Sequence, residues 1–452
     1  MKRSLRILAA LGLLLGIAWV IYAVAQRPAP PASGSIVLPD GSWVHIEAAT
    51  YGTNHLVGPP LSHVAFRMPQ FIRILMTRTF GRRAAMRFTA TTSSPKLVLW
   101  LNRGMVAGPF PSSLGYLECV LSDTNGVDSG NAVPFAARWP LTALEVGVFP
   151  RRLREINLSI YRHDATGAVF QLGNVVFANP AYRRWPEWKP EPLPATKRGG
   201  DVEVTLEKIR TGIDESFGQE KVPNGHMLEF STNTRDGKSA TVCVMRLHPT
   251  TNTNETWRVV GVVTSDATGN QVASDQLHHD QKAGYVVFSP ALWVSEPAWK
   301  LNFEIIRDSG FRREELFTFY NVPLGMLNAT NQIGRATNCN GALVTLEQTA
   351  WREQPQKNDA STQSSEFELH LSLANFTNDL HLDLLSAPTD VGPELTGCLV
   401  GDYGTNRVYH FKPPPAGAKS ANFTFAVQRS RRVEFLVKPE TGVLKLESKD
   451  TQ

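Results

Sequence analysis

Apolar and polar positions alternate with a period of two along most of this chain, the mark of strands with one buried face. Val202, Val204 and Leu206 alternate with Glu203, Thr205 and Glu207. Ile156, Leu158 and Ile160 alternate with Asn157, Ser159 and Tyr161, and Leu301, Phe303 and Ile305 repeat that pattern later. Phe367, Leu369, Leu371 and Leu373 share one face. Leu380, Leu382 and Leu384 answer them after a turn over 375–379, which reads as a hairpin. Glycine, proline, asparagine and aspartate punctuate these runs every 8–12 residues or so, the spacing of antiparallel sandwiches or barrels.

One short stretch recurs. Val44-His45-Ile46-Glu47, Val204-Thr205-Leu206-Glu207 and Val344-Thr345-Leu346-Glu347 each follow a glycine-bearing turn: Asp40-Gly41, Gly199-Gly200 and Asn340-Gly341. Other features keep the same order behind it. Residues 122–126 are matched by 265–270, and Gly173-Asn174-Val175 by Tyr320-Asn321-Val322. Shared order over such lengths predicts one module used three times. The expected fold is all-β, with three tandem antiparallel β-sandwich modules, broadly immunoglobulin-like, over residues 35–182, 200–325 and 338–450. A Pro/Trp linker covers 183–199 and a second linker 326–337. The length of 452 residues suits about three domains.

Two segments break the β pattern. Residues 7–25 are uncharged and follow Lys2, Arg3 and Arg6, which predicts a transmembrane signal-anchor helix within 1–27, its N-terminus cytoplasmic. Cleavage after Ala25, as a signal peptide, is the alternative. Either places the modules outside the cytoplasm, periplasmic or at the cell surface, with 28–34 as a proline-rich spacer. In the first module Pro69 and Gly81 bracket a short helix over about 69–80, with Phe71, Ile72, Leu75 and Met76 near one face. Arg73, Arg78, Arg82 and Arg83 surround it, in a stretch (48–117) without any acidic residue. They form either a patch for an anionic partner or a solvated helix face.

Charge and chemistry narrow the reading further. A formal net charge of +5 is small for this length and argues against nucleic acid as a partner. The four cysteines, Cys119, Cys243, Cys339 and Cys398, have no zinc-ribbon or redox spacing, and only Cys339 and Cys398 fall within one module. No G-x-S-x-G, H-E-x-x-H, Walker or G-x-G-x-x-G motif is present, so neither catalysis nor a cofactor is signalled. His278-His279-Asp280 reads as a loop with the wrong spacing for a metal. If Leu373 pairs with Leu380, Ser372 faces His381 and His370 faces Asp383. That would be a polar face able to hold a metal or a general base, or simply a solvated outer face. Trp185 and Trp188 could stack on a sugar or pack on a neighbouring domain.

The functional expectation is a membrane-anchored extracytoplasmic protein of repeated sandwiches, serving non-catalytic recognition, adhesion or envelope scaffolding. Its partners would be the membrane, through residues 7–25, and an unknown protein or glycan. The alternative is a carbohydrate-binding or carbohydrate-processing envelope protein.

Overall fold

The computed structural model describes residues 35–37, 43–57, 88–104, 117–122, 128–131, 133–138, 141–163, 169–213, 218–221, 227–230, 240–250, 254–274, 277–280, 284–288, 292–354, 364–397 and 399–441. Three antiparallel sheets have the same strand order. The first runs Ile36–Val37, Trp43–Val57, Phe88–Gly104, Leu141–Val146, Val133–Arg138. The second runs Ala195–Gly199, Val202–Ile213, Ala240–Pro249, Tyr285–Phe288, Leu277–Asp280. The third runs Ala329–Cys339, Ala342–Gln354, Ser364–Ala374, Asn406–Phe411, Leu399–Tyr403.

The recurring Val-x-(Ile/Leu)-Glu stretch opens the second strand of each sheet, and its glutamate has one role in all three. Pairing skips from Ile46 to Ala48, from Leu206 to Lys208 and from Leu346 to Gln348, so Glu47, Glu207 and Glu347 each occupy a bulge. A bulge inserts one residue and shifts the side-chain phase. Inward positions therefore run Val44, Ile46, Ala49, Tyr51 in the first sheet, and Val202, Val204, Leu206, Ile209 in the second. In the third, Val344 and Leu346 are followed by buried Thr349 and by Trp351 packed on the core. Asn340 and Gly341, with φ of 52° and 84°, supply the two left-handed residues that a tight hairpin turn needs before the third copy.

Each sheet is faced by a second one, and here the three units differ. Opposite the first lie Asp128–Asn131, Leu117–Ser122, Glu155–His163 and Val169–Ala178, the last two forming a local hairpin with Glu155 opposite Ala178. Opposite the second lie Gln271–Ser274, Thr256–Asp266 and Trp299–Ser309, but the fourth strand is Arg431–Val437, from near the C-terminus. The strand that follows Trp299–Ser309 in the chain, Leu316–Pro323, crosses instead to the third unit and pairs with Ser420–Arg429, which pairs with Leu380–Ser386. The second and third units have thus exchanged their last strands. Val433, Phe435 and Val437 fill the second core beside Phe303, while Phe319, Val322 and Leu324 fill the third beside Phe425. Glu440–Thr441 then pairs in parallel with Arg210 and Thr211, so the C-terminal segment touches both sheets of the second core.

A buried ion cluster sits where the exchanged strands cross. Arg307, 1% exposed, reaches Glu315 at 2.5 Å, Asp201 at 2.9 Å and Glu255 at 3.5 Å. Arg312 and Arg431 add a second and a third cation to Asp201. Burial works to raise the Asp201 carboxyl, but hydrogen bonds and charge from Arg431, with Arg307 behind, outweigh it and hold it low. The Gln428 side chain accepts from Arg307 N and donates to Arg307 O, clasping Trp299–Ser309 to Ser420–Arg429. A second clasp joins Glu304 to His381, Ser430 and Arg432.

The first and second units meet at another polar junction. The turn over 266–270 is tied by Asp266, which accepts from Thr268 and Asn270. Asn270 Nδ2 donates to Phe149 O, and Arg151 donates to Thr268 O. Arg152 pairs with the fully buried Glu296 at 2.8 Å. Burial, helped by the charge of Asp266 and opposed by Arg152, pushes the Glu296 carboxyl up to about 7.

These observations correct the fold class expected from the sequence. The protein is all-β with several incompletely closed sheets, and the second and third units are not separate sandwiches of consecutive strands. Among the described residues, no helix is long and apolar enough to cross a membrane, and the helical content is the single 3-10 turn Arg313–Glu315. The transmembrane helix read over 7–25 and the helical insert over 69–80 both lie outside the described residues. The single-pass topology, the membrane as partner and the localisation outside the cytoplasm that followed from it have no spanning helix among the described residues to rest on.

Candidate functional site

The strand Ser364–Ala374 organises the candidate site. Its odd-numbered side chains, Phe367, Leu369, Leu371 and Leu373, are buried in the third core. Its even-numbered ones, Glu366, Glu368, His370 and Ser372, therefore stand on the outer face of the sheet. Ala342–Gln354 sets Gln348 opposite His370 and Arg352 opposite Glu366. On the other side, Asn406–Phe411 sets His410 opposite Glu368 and Asn406 opposite Ser372.

These groups hold one another in place. His370 Nε2 lies 2.9 Å from Glu368 Oε2, and Arg352 Nε lies 3.5 Å from that same oxygen. His410 Nδ1 reaches diagonally to Glu366 Oε1 at 3.2 Å. Ser372 donates to Glu347, the residue in the bulge, and Gln332 donates to Gln348 at 2.8 Å. Ligand atoms of Glu366, Glu368 and His410 all lie within 4.8 Å of one another. The carboxylates and imidazoles are part-buried, with Glu368 at 13% exposure and His370 at 25%. The face combines carboxylate acceptors, amide and hydroxyl donors and two imidazoles, in fixed positions on adjacent strands.

The hairpin expected between 366–373 and 380–384 does not form. Ser364–Ala374 and Leu380–Ser386 belong to opposite sheets of the third unit, and both turn their leucines into the core between them. Their polar faces consequently point away from each other, so His370 and Ser372 are not brought to His381 and Asp383. His381 pairs with Glu304 at 3.3 Å and Asp383 with Arg258 at 2.7 Å, both at the seam between the second and third cores. His278, His279 and Asp280 form a strand, Leu277–Asp280, rather than a loop.

The tryptophans of the 183–199 segment are engaged by cations. The Arg183 guanidinium lies 3.7 Å from the Trp185 ring centroid, and Lys300 lies 5.4 Å from that of Trp188. That segment runs beside the exchanged strand, with Glu191 N donating to Leu436 O and Leu436 N to Glu191 Oε1. Arg73, Arg78, Arg82 and Arg83 lie outside the described residues, as does Cys398. Cys339 carries a thiol, which donates to Glu314 O. Sequence reasoning missed Glu366, Glu368 and His410. The alternation Glu366, Glu368, His370 was a visible signal, but only the register of a strand some 40 residues later brings in the second imidazole.

No family model matches the chain, and no curated protein matches it. Among solved structures, the cycloalternan-forming enzyme from Listeria monocytogenes, in complex with a pentasaccharide substrate, aligns with 73% of this chain at 11% identity and a TM-score of 0.14. The alignment spans 29% of that enzyme's own chain. A score this low carries no argument about fold or function.

Proposed function

We propose that this protein binds carbohydrate on the polar outer face of its third sheet, and does so without turning it over. This replaces the membrane-anchored scaffold expected from the sequence, which rested on a spanning helix. One observation carries the reading: Glu368, His370, Ser372 and Gln348 stand side by side, part-buried and already hydrogen-bonded, with the exposed Arg352 guanidinium 3.5 Å from Glu368. Sugars present paired hydroxyls that both donate and accept. A fixed array mixing carboxylate, imidazole, amide and guanidinium matches that pattern with little ordering cost.

Titration of the full chain against a glycan array, followed by calorimetry on the hits, tests this. Saturable binding should weaken at least tenfold in Glu368→Gln and in His370→Ala, and persist in Trp188→Ala. Absence of saturable binding to any glycan, or binding lost only in Trp188→Ala, would overturn it.

A further inference from the structure

We propose that Glu366, Glu368 and His410 form a binding site for one divalent transition-metal ion of the zinc class. The site does not depend on the carbohydrate reading, and it takes its ligands from two strands only. Glu366 and Glu368 are two positions apart on Ser364–Ala374, so their carboxylates emerge on one face. His410 is the direct cross-strand partner of Glu368 on Asn406–Phe411. Pairing is continuous from Phe367 opposite Phe411 to Ser372 opposite Asn406, and inward Phe367, Leu369, Tyr409 and Phe411 are buried beneath it. A rigid floor of this kind holds ligands at defined positions, which is the main requirement for an affine site.

The donor set selects the ion. Two carboxylate oxygens and an imidazole nitrogen suit zinc and its first-row neighbours. Calcium and magnesium take oxygen ligands. Zinc–ligand bonds of about 2.0–2.2 Å place neighbouring donor atoms roughly 3–3.6 Å apart. The observed group, all within 4.8 Å, needs only a small side-chain contraction to reach that geometry. Outer groups are in place as well. His370 Nε2 lies 2.9 Å from Glu368 Oε2, and Arg352 Nε lies 3.5 Å from the same atom. Imidazole–carboxylate contacts of this type orient metal ligands and tune their basicity. With three protein ligands, the remaining coordination positions stay open to water or to a ligand hydroxyl.

Equilibrium dialysis and calorimetry with Zn²⁺ alone, on the chelator-treated full chain and with no sugar added, test the site. One Zn²⁺ per chain should bind saturably. Glu366→Gln and His410→Ala should each weaken it at least tenfold, and His381→Ala should leave it unchanged. Co²⁺ in place of Zn²⁺ should give a visible absorption band that His410→Ala abolishes. Circular dichroism identifies a variant that fails to fold, and the milder His410→Gln then replaces His410→Ala. No saturable Zn²⁺ binding, or binding indifferent to both Glu366→Gln and His410→Ala, overturns the proposal. Because sugar is absent, this outcome leaves the carbohydrate reading standing, and a failed glycan titration leaves the metal site standing.

Discussion

Arg307→Met should remove about 3–5 kcal/mol of folding free energy, the usual cost of taking one partner from a buried ion cluster. Arg307 is 1% exposed, and its guanidinium faces three carboxylates: Asp201, Glu255 and Glu315, each no more than 10% exposed. Arg312 and Arg431 remain on Asp201 after the change, so the cost falls on Glu255 and Glu315. Methionine keeps the apolar stem against Trp257, whose ring lies 4.9 Å from the guanidinium carbon, so most of the loss is electrostatic. Urea unfolding followed by tryptophan fluorescence at pH 7 reads the effect. With an m value of roughly 2–3 kcal/mol/M the midpoint should fall by about 1–2.5 M. Adding Glu315→Gln should recover part of the loss, a non-additivity of about 1–3 kcal/mol. A loss under 1 kcal/mol at pH 7, with no coupling to Glu315, would refute the view that these charges lock the strand crossing.

Three further outcomes follow from particular residues. Glu296 has its carboxyl raised from 4.5 to about 7, so it contributes full stability below pH 4.5 and loses about 3 kcal/mol as pH climbs to 7. Glu296→Gln should flatten that slope in pH-dependent unfolding, and an unchanged slope would count against it. Glu304 is held down at about 2, chiefly by the His381 hydrogen bond, with burial opposing and Ser430 assisting. Its stabilisation is present above pH 4.5 and lost as pH falls through 2, so Glu304→Gln should destabilise at pH 7 and be near neutral at pH 2 in the same assay. Phe435→Ala should cost about 3–5 kcal/mol and disturb the second core, seen as altered fluorescence from the buried Trp257, Trp293 and Trp299. A response confined to the third unit would contradict the packing.

Strand faces were legible in the sequence because side-chain alternation is a local property. Val202, Val204 and Leu206 are buried as their pattern requires, and so are Phe367, Leu369, Leu371 and Leu373. The repeated Val-x-(Ile/Leu)-Glu stretch also marked equivalent strands, although its physical content, a bulge at each glutamate, emerges only from the pairing register. Partners were not legible. Period-two alternation fixes which side faces a core but not which strand lies alongside. Leu373 and Leu380 have the alternation of a hairpin and yet face each other across a core. Tyr320-Asn321-Val322 resembles Gly173-Asn174-Val175, but the latter sits in a local hairpin and the former in an exchanged strand. Arg307, Asp201, Glu255 and Glu315 carried no sequence signal either, since their common burial depends on where distant segments cross. The same holds for the candidate metal group, where one ligand waits on the register of Asn406–Phe411.

Disulfide trapping of the exchanged strands tests the architecture most directly. Thr318 and Thr424 are register partners with hydroxyls 3.0 Å apart, and Asn302 lies opposite Glu434. In a chain carrying Thr318→Cys, Thr424→Cys, Asn302→Cys and Glu434→Cys, peptide mapping after mild oxidation should recover both crosslinks, 318–424 and 302–434, within one monomer. A crosslink between 302 and 318 instead would show that the second unit keeps its own last strand, and 318–424 or 302–434 links joining separate chains would place the exchange between molecules; either would contradict an exchange within one chain.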